Sequence, residues 1–341
     1  MKALSKETVK RVIEGKGAAE RVPLLYDLWI YDNVFGGDRE ARAKWLEAYP
    51  CDVEAFDMRF PELFEAPEDD PQYIWAPKAT ASRESVGIDA QSVIDSWEDS
   101  EEFFEKFPSA EYPGLVPDFQ PSGEKYLLGR WWFCLFERLW SIRGMENALM
   151  DFYLYPDEVH KLFRYITDFY KRAMERTAEK YHVDGFFVSD DIGTQTGPFF
   201  SLDIFREFFK PYYKEIFDKA HELGAHFWLH TCGNIEVFLP EFIEIGLDVI
   251  HPIQKYTMDE NVIAEKYGDK ICIWAGFDVQ NTIPFGTVEA VQKEVHHLRK
   301  TFWRPDGRFM LTMGNGSTED WKLESLKALY EASMDEIDNL E

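Results

Sequence analysis

Cysteine is scarce in this chain: four residues in 341, at Cys51, Cys134, Cys232 and Cys272. They are far apart and show no disulfide framework, which fits a reducing compartment. Positive charge is also short. Lys and Arg number 37 against 63 Asp and Glu, a formal net charge of −26. Nucleic acid and anionic membrane surfaces both demand basic patches, so neither is an expected partner. No apolar run approaches the roughly 20 residues that span a bilayer. Met1 to Glu7 holds no apolar segment or small-residue cleavage site, so no secretory signal is expected. Missing too are the phosphate-binding Gly-x-x-x-x-Gly-Lys-Ser/Thr loop, a dinucleotide fingerprint and a Gly-x-Ser-x-Gly elbow. What remains is a soluble cytoplasmic protein long enough to bury a large core.

Hydrophobic patterning supplies the fold. Ser5–Glu14 reads as an amphipathic helix, Arg21–Trp29 as a first buried strand and Asp52–Asp57 as a second. From 60 to 120 the pattern is broken by prolines and acidic residues, with one helix near Asp99–Phe107. So long an irregular stretch is expected to be an insertion or lid. Lys125–Phe133 is a further strand, followed by helices over Leu135–Met150 and Asp157–Tyr181. Thereafter strands and helices alternate regularly. Strands are read at Asp184–Asp190, Ala225–His230, Leu247–Ile253, Lys270–Ala275 and Arg308–Thr312. Helices are read at Ser201–Leu223, kinked at Pro211, at Ile235–Ile245 and Asp259–Tyr267, and onward from Thr287 and from Ser317. About eight strands alternating with helices predict an α/β chain folded as one (β/α)8 TIM barrel over 1–341.

In such a barrel the chemistry sits at the C-terminal ends of the strands. Those ends carry Asp57, Ser189-Asp190-Asp191, His230-Thr231-Cys232, His251-Pro252-Ile253-Gln254, Gly276-Phe277-Asp278 and Gly314-Asn315-Gly316. The central stretch is Ala225 to Asn234. Residues two apart on a strand face the same way, so His230 and Cys232 can converge on one ion, and imidazole and thiolate are both good zinc ligands. A helix following Cys232 would favour its thiolate. The plain alternative is a core cysteine beside a hydrogen-bonded histidine. A third ligand is needed. Cys272 lies about four residues before its strand end, roughly 13 Å below the rim at about 3.3 Å per residue. Asp190, Asp191 and Asp278 are better placed. The aromatic cluster Trp131, Trp132, Phe133, Phe136 and Trp140 reads as core packing, with a flat-substrate pocket as the other reading.

Ser189-Asp190-Asp191-Ile192-Gly193-Thr194-Gln195, Ser201 to Phe208 with Pro211-Tyr212, and His230-Thr231-Cys232-Gly233-Asn234 together resemble the uroporphyrinogen decarboxylase superfamily. The branch they look most like contains zinc-dependent, corrinoid-linked methyltransferases. Asp248 to Gln254 and Gly286-Thr287 fit as well. The resemblance is good from about Leu128 onward and implies the same (β/α)8 fold. Two departures stand out. Porphyrinogen decarboxylases carry an Arg-Gln-Ala-Gly-Arg motif where this chain has Tyr26-Asp27-Leu28-Trp29-Ile30-Tyr31-Asp32, although Asp57 falls near the family's catalytic Asp. The methyltransferases use a later Cys as third ligand, and Asn315 stands there.

The resemblance implies a methyltransferase that moves a methyl group between a small substrate and a separate corrinoid protein, and the chain's aromatic content makes a methoxylated aromatic the substrate to expect. His230 and Cys232 would hold Zn2+, Asp190 or Asp191 would give a ligand or a proton, and Gln195, Gln254 and Asn315 would orient the substrate. A porphyrinogen-type carboxy-lyase using Asp57 and a non-catalytic ligand-binding barrel are the alternatives, and a homodimer is left open.

Overall fold

Seven short parallel strands form the centre of the protein, described by a computed structural model for residues 3–76 and 92–335. They are β1 (Val53–Asp57), β2 (Tyr126–Trp131), β3 (Gly185–Ser189), β4 (His226–His230), β5 (Val249–His251), β6 (Cys272–Phe277) and β7 (Phe309–Met313). Each pairs in parallel with the next, so the sheet runs from β1 to β7 in chain order. Every residue of β3, β6 and β7 is buried. That is why these segments read as continuous apolar runs and not as alternating ones.

The expected eighth strand is a correction. Arg21–Trp29 forms no strand; it contributes a single parallel bridge between Leu24 and Leu311 of β7. Leu25 N–H donates to Leu311 O at 3.3 Å, Leu311 N–H to Pro23 O at 3.0 Å, and Asp52 N–H to Leu24 O at 2.8 Å. Three local facts cut the ladder short. Pro23 has no N–H to give. The Leu24 N–H is taken by the Asp52 carboxylate at 2.8 Å, which also holds Arg21. The chain then turns into a 3-10 helix at Asp27–Trp29. The result is TIM-barrel-like, an α/β fold around seven strands with a one-residue seam where the eighth would close it.

Outside the sheet, helix Pro156–Lys180 buries Val159, Leu162, Phe163, Ile166, Tyr170 and Ala173, the 3–4 spacing of one apolar face. The helix expected over Leu135–Met150 is two, Phe136–Arg143 and Met145–Leu154. They are separated by Gly144, whose φ of 76° breaks the helical path. Helical structure runs from Leu202 to Glu222, and the turn at Phe205–Phe209 just before Pro211 widens to a π-helix. A widened turn accommodates the hydrogen bond that proline cannot make. The last helix begins at Leu323, later than its pattern suggested. Part of the irregular stretch lies outside the described residues. Its described remainder holds the short helix Glu101–Glu105, and no strand lies between β1 and β2 among the described residues. Nor is any described helix long and apolar enough to cross a membrane.

Large rings fill the interior. Trp228, Trp274 and Phe187 pack edge-on at 5.2 and 5.5 Å between centroids. Trp29 lies above them, fully buried at the sheet's C-terminal end.

Candidate metal centre

Strand register assembles the site. Ser189, His230 and His251 occupy one row across β3, β4 and β5. All three are the last residues of their strands, so the residues two positions on, Asp191 and Cys232, emerge together above that row. The loops carrying them touch backbone to backbone. A Cβ on Gly193 would lie 2.7 Å from Cys232 O, and one on Gly233 would collide with the Gly193 carbonyl group. Gly233 also sits at φ +85°, a region that side chains disfavour. Only glycine at both positions lets the two loops approach this closely. The approach lets the Asp191 carboxylate accept the Cys232 N–H at 2.7 Å.

Three donors converge there. Cys232 Sγ is 3.4 Å from His230 Nε2, and His230 Nε2 is 3.5 Å from Asp191 Oδ1. Donor atoms of Asp191, His230 and Cys232 all lie within 4.8 Å of one another, the one such metal-capable group among the described residues. Asn315 stands over them and donates from Nδ2 to Cys232 Sγ at 3.5 Å, its own Oδ1 accepting from Gly316 N–H.

Behind the donors the protons are ordered. His251 Nε2 is 2.8 Å from Met313 O. A carbonyl only accepts, so Nε2 carries the proton and Nδ1 is bare. His230 Nδ1 lies 2.7 Å from that bare nitrogen and must therefore carry its own proton. This leaves the His230 Nε2 lone pair facing Cys232 and Asp191, the tautomer a metal requires. Burial holds both imidazoles below the ordinary histidine pKa, His251 well below it, the direction that favours the neutral rings of this proton order. Trp29 fixes the pair from beneath, stacked on His251 at 5.0 Å and tilted under His230 at 5.2 Å.

Burial drives the Cys232 thiol well above its usual pKa, with Asp191 and Glu137 adding to the rise. The expected lowering by a helix just after it is therefore not found. Cys232 leads instead into a turn and the 3-10 segment Glu236–Phe238, and only then into the helix Leu239–Glu244. Glu137 is buried, accepts the Ser189 hydroxyl at 2.6 Å, and is itself pushed up by burial and by Asp191. A thiol and two carboxyls crowded without a cation are what a divalent ion would relieve. One imidazole, one sulfur and one carboxylate also match the donor types of a catalytic zinc. The residues present fit the metal.

The other sequence-derived candidates fall elsewhere. Asp190 is fully buried, and its oxygens accept the backbone N–H groups of Leu135, Phe136 and Glu137 and the Tyr213 hydroxyl. Burial raises its pKa to about 6 against those bonds. It anchors the helix Phe136–Arg143 and turns away from the donors. Asp278 caps the following turn through the N–H groups of Gln280 and Asn281 and the Thr282 hydroxyl. Gln254 accepts the Gly233 N–H at 2.5 Å and, with Cys232 and Asn315, lines a small cavity of ≈ 50 Å³. Gln195 is exposed at the tip of the Thr194–Gly197 turn. Asp57 is half exposed and paired with Arg130 at 2.7 Å, on the wall of a larger cavity of ≈ 670 Å³. Trp131, Trp132 and Phe133 line that cavity, whereas Phe136 is core. Cys272 opens β6 and is buried, far below the rim.

Sequence reading gave no role to His251, Glu137 or Trp29. His251 was visible as a strand end, and aligning the ends of β4 and β5 would have paired it with His230. Glu137 and Trp29 carry no signal in the sequence that separates them from ordinary core residues.

Residues 134–335 match the model of the uroporphyrinogen decarboxylase (URO-D) family. Among solved structures, a methyltransferase from Methanosarcina mazei is similar over 97% of this chain and 98% of that one, with 15% identity and a TM-score of 0.63. That likeness speaks to the fold. An endo-1,4-beta-xylanase from Caldicellulosiruptor owensensis, 14% identical over 47% of this chain and 57% of that one, reaches a TM-score of 0.31. A crystal structure of an IOLI protein with a binding zinc atom, 12% identical over 89% and 95%, reaches 0.36. Neither bears on the site. No curated protein matches the chain.

Proposed function

The chain belongs to the uroporphyrinogen decarboxylase family, and from that premise we propose that it is a zinc-dependent methyltransferase. It moves a methyl group between a small substrate, a methoxylated aromatic, and the cobalt of a corrinoid carried by a separate protein. Its place is the cytoplasm, where its four unpaired cysteines stay reduced. The observation that carries the reading is the meeting of Asp191, His230 and Cys232 at the mouth of the sheet.

Asp191, His230 and Cys232 would hold the metal. Bound there, zinc supplies Lewis acidity that draws electron density from an ether oxygen or activates an acceptor thiol. The chain's own residues do the rest. His251 and Met313 O keep the His230 lone pair directed at the site. Gln254 has its carbonyl oxygen taken by Gly233, so its amide nitrogen is the group it offers a substrate. Asn315 offers an N–H beside the sulfur. Trp29 and Trp132, packed against each other and against His230, keep water from the inner side of the imidazole.

The decisive experiment is zinc per chain together with methyl transfer from an aryl methyl ether to a corrinoid protein. One zinc per chain, lost in Cys232→Ser along with turnover, supports the reading. A metal-free protein with full activity refutes it. The second reading, a carboxy-lyase using Asp57, draws on that residue's position at the larger cavity. Asp57 is already matched by Arg130, which leaves less charge for a protonated pyrrole. Incubation with uroporphyrinogen separates the two.

A further inference from the structure

Two of the buried arginines are matched by carboxylates. Arg21 forms a two-pronged pair with Asp52 at 2.6 and 2.7 Å, and Arg143 does the same with Asp151 at 2.7 and 3.0 Å. Arg138 is different. It is 5% exposed, yet no carboxylate pairs with it among the described residues. Its Nε is buried without a hydrogen bond, and the oxygens that do meet the guanidinium are neutral, Trp132 O at a long 3.4 Å and the Tyr170 hydroxyl. The guanidinium lies over the rings of Trp75 and Phe133, 4.5 and 5.3 Å from their centroids. Ring faces soften the burial of a cation but do not replace a counter-ion.

Arg138 lines the ≈ 670 Å³ cavity at the ends of β1 and β2, within the size range of small-molecule sites. The inner walls are flat and aromatic, with Trp131, Trp132, Phe133 and Tyr73 among them. The acidic residues of its lining, Asp57, Glu62 and Glu65, are exposed at the rim together with Arg59. Asp57 is answered by Arg130, and the Tyr73 hydroxyl is committed to Arg59 O at 2.7 Å. Among the described lining residues, Arg138 is thus the buried cation and the carboxylates lie at the rim.

We propose that this cavity binds a planar aromatic carboxylate, its carboxyl group held by the Arg138 guanidinium and its ring between the aromatic walls. Trp132 is the common wall. It lines the cavity and meets the His230 ring edge-on at 6.5 Å, so the ligand lies across one indole from the metal donors. As the substrate of methyl transfer this ligand rests on the function proposed above; as a bound ligand it does not.

The test titrates para-methoxybenzoate and its neutral analogue para-methoxybenzyl alcohol calorimetrically into the full chain. Unmodified protein should prefer the carboxylate. Arg138→Gln should weaken the carboxylate by about tenfold or more, the scale of a charge-assisted hydrogen bond, and leave the alcohol unchanged. Arg138→Lys keeps the charge but not the fork. It should bind with intermediate affinity, and it carries the test if the glutamine variant does not fold. Equal binding of acid and alcohol, binding of neither, or undiminished carboxylate affinity in a folded Arg138→Gln would each overturn the proposal. Carboxylate binding that depends on Arg138 in a protein without zinc or methyl transfer sinks only the enzymatic reading. Methyl transfer from a neutral aryl ether, without Arg138-dependent carboxylate binding, sinks only this one.

Discussion

His230 and His251 face each other through like atoms, Nδ1 to Nδ1, 2.7 Å apart. Two neutral rings can share such a contact only if one nitrogen is protonated and the other bare. The Met313 carbonyl decides which, because it takes the His251 proton at Nε2. His251 therefore acts on the metal through His230. His251→Phe keeps the stack on Trp29 but removes the acceptor, freeing His230 to place its proton on Nε2. Zinc affinity, read by competition with a chromophoric chelator, should fall by about 10- to 100-fold, as it does when the partner of a ligating histidine is lost. Nitrogen-15 shifts of His230 in the metal-free protein should also move from the Nδ1-protonated to the Nε2-protonated pattern. An unchanged affinity, with the tautomer unmoved, would show that the contact does not order the site.

The contact between Gly193 and Gly233 holds the donors together without supplying one. In Gly193→Ala the new methyl must enter space occupied by Cys232 O, Asn234 N and Gly233 C, all within 2.9 Å. These are backbone atoms and cannot swing aside. The two loops must part, at a cost of about 1–3 kcal/mol for an overpacked site, and the Asp191 bond to the Cys232 amide goes with them. The expected result is a folded protein of lower melting temperature that has lost its zinc with all three donors intact. Full zinc content in Gly193→Ala would mean that Asp191 is not a ligand, since it is the donor whose position depends on this contact.

Much of the frame was legible because burial leaves a periodic trace. Strands β1 to β7 each overlap a segment read from apolar patterning, and His230, Cys232 and Asp191 were placed at their ends. Arg21–Trp29 misled because its apolar run is real but its parallel ladder with β7 stops after one bridge. Pro23 and the Asp52 carboxylate take over the ladder there. Asp190 and Asp191 were indistinguishable as neighbours. Only the fold shows one turned inward to cap a helix and the other turned out over Cys232. That no carboxylate pairs with Arg138 among the described residues is a property of three-dimensional neighbours, and no motif announces it.

Asn315, which the resemblance sets where the methyltransferases have a third thiolate, does reach the site, with Nδ2 3.5 Å from Cys232 Sγ. Two thiolates on one tetrahedral zinc stand about 3.8 Å apart for Zn–S bonds near 2.3 Å. A sulfur at position 315 sits one bond nearer its own backbone than the Asn315 Nδ2, so the loop must carry it inward to meet that spacing. Asn315→Cys is expected to bind zinc more tightly than the unmodified chain and to make Asp191→Ala tolerable. A double variant, Asn315→Cys with Asp191→Ala, should retain one zinc per chain where Asp191→Ala alone loses it. Loss of metal from the double variant would show that the loop around Gly314 and Gly316 does not carry the residue inward.

Two histidines near the foot of β4 should pull stability in opposite directions with pH. His221 donates to the Asp248 carboxylate at 2.8 Å, and that bond raises its pKa above 6.5. Its contribution is complete below 6.5, where the unfolded histidine is also charged, and disappears as pH climbs through the raised folded value. His226, between Tyr126 and Glu14, has its pKa lowered below 6.5, chiefly by burial. The unfolded chain takes up that proton first, so His226 costs stability as pH falls below 6.5. His221→Gln should accordingly be most damaging in acid, by on the order of 0.5 kcal/mol since the pair is part-exposed, and should converge on the unmodified protein in base. His226→Gln should do the reverse, its deficit shrinking as acid is added. Urea midpoints measured between about pH 5.5 and 9, the span over which histidine titrates, read both slopes. Parallel curves for the two variants would mean that neither pair titrates as its surroundings require.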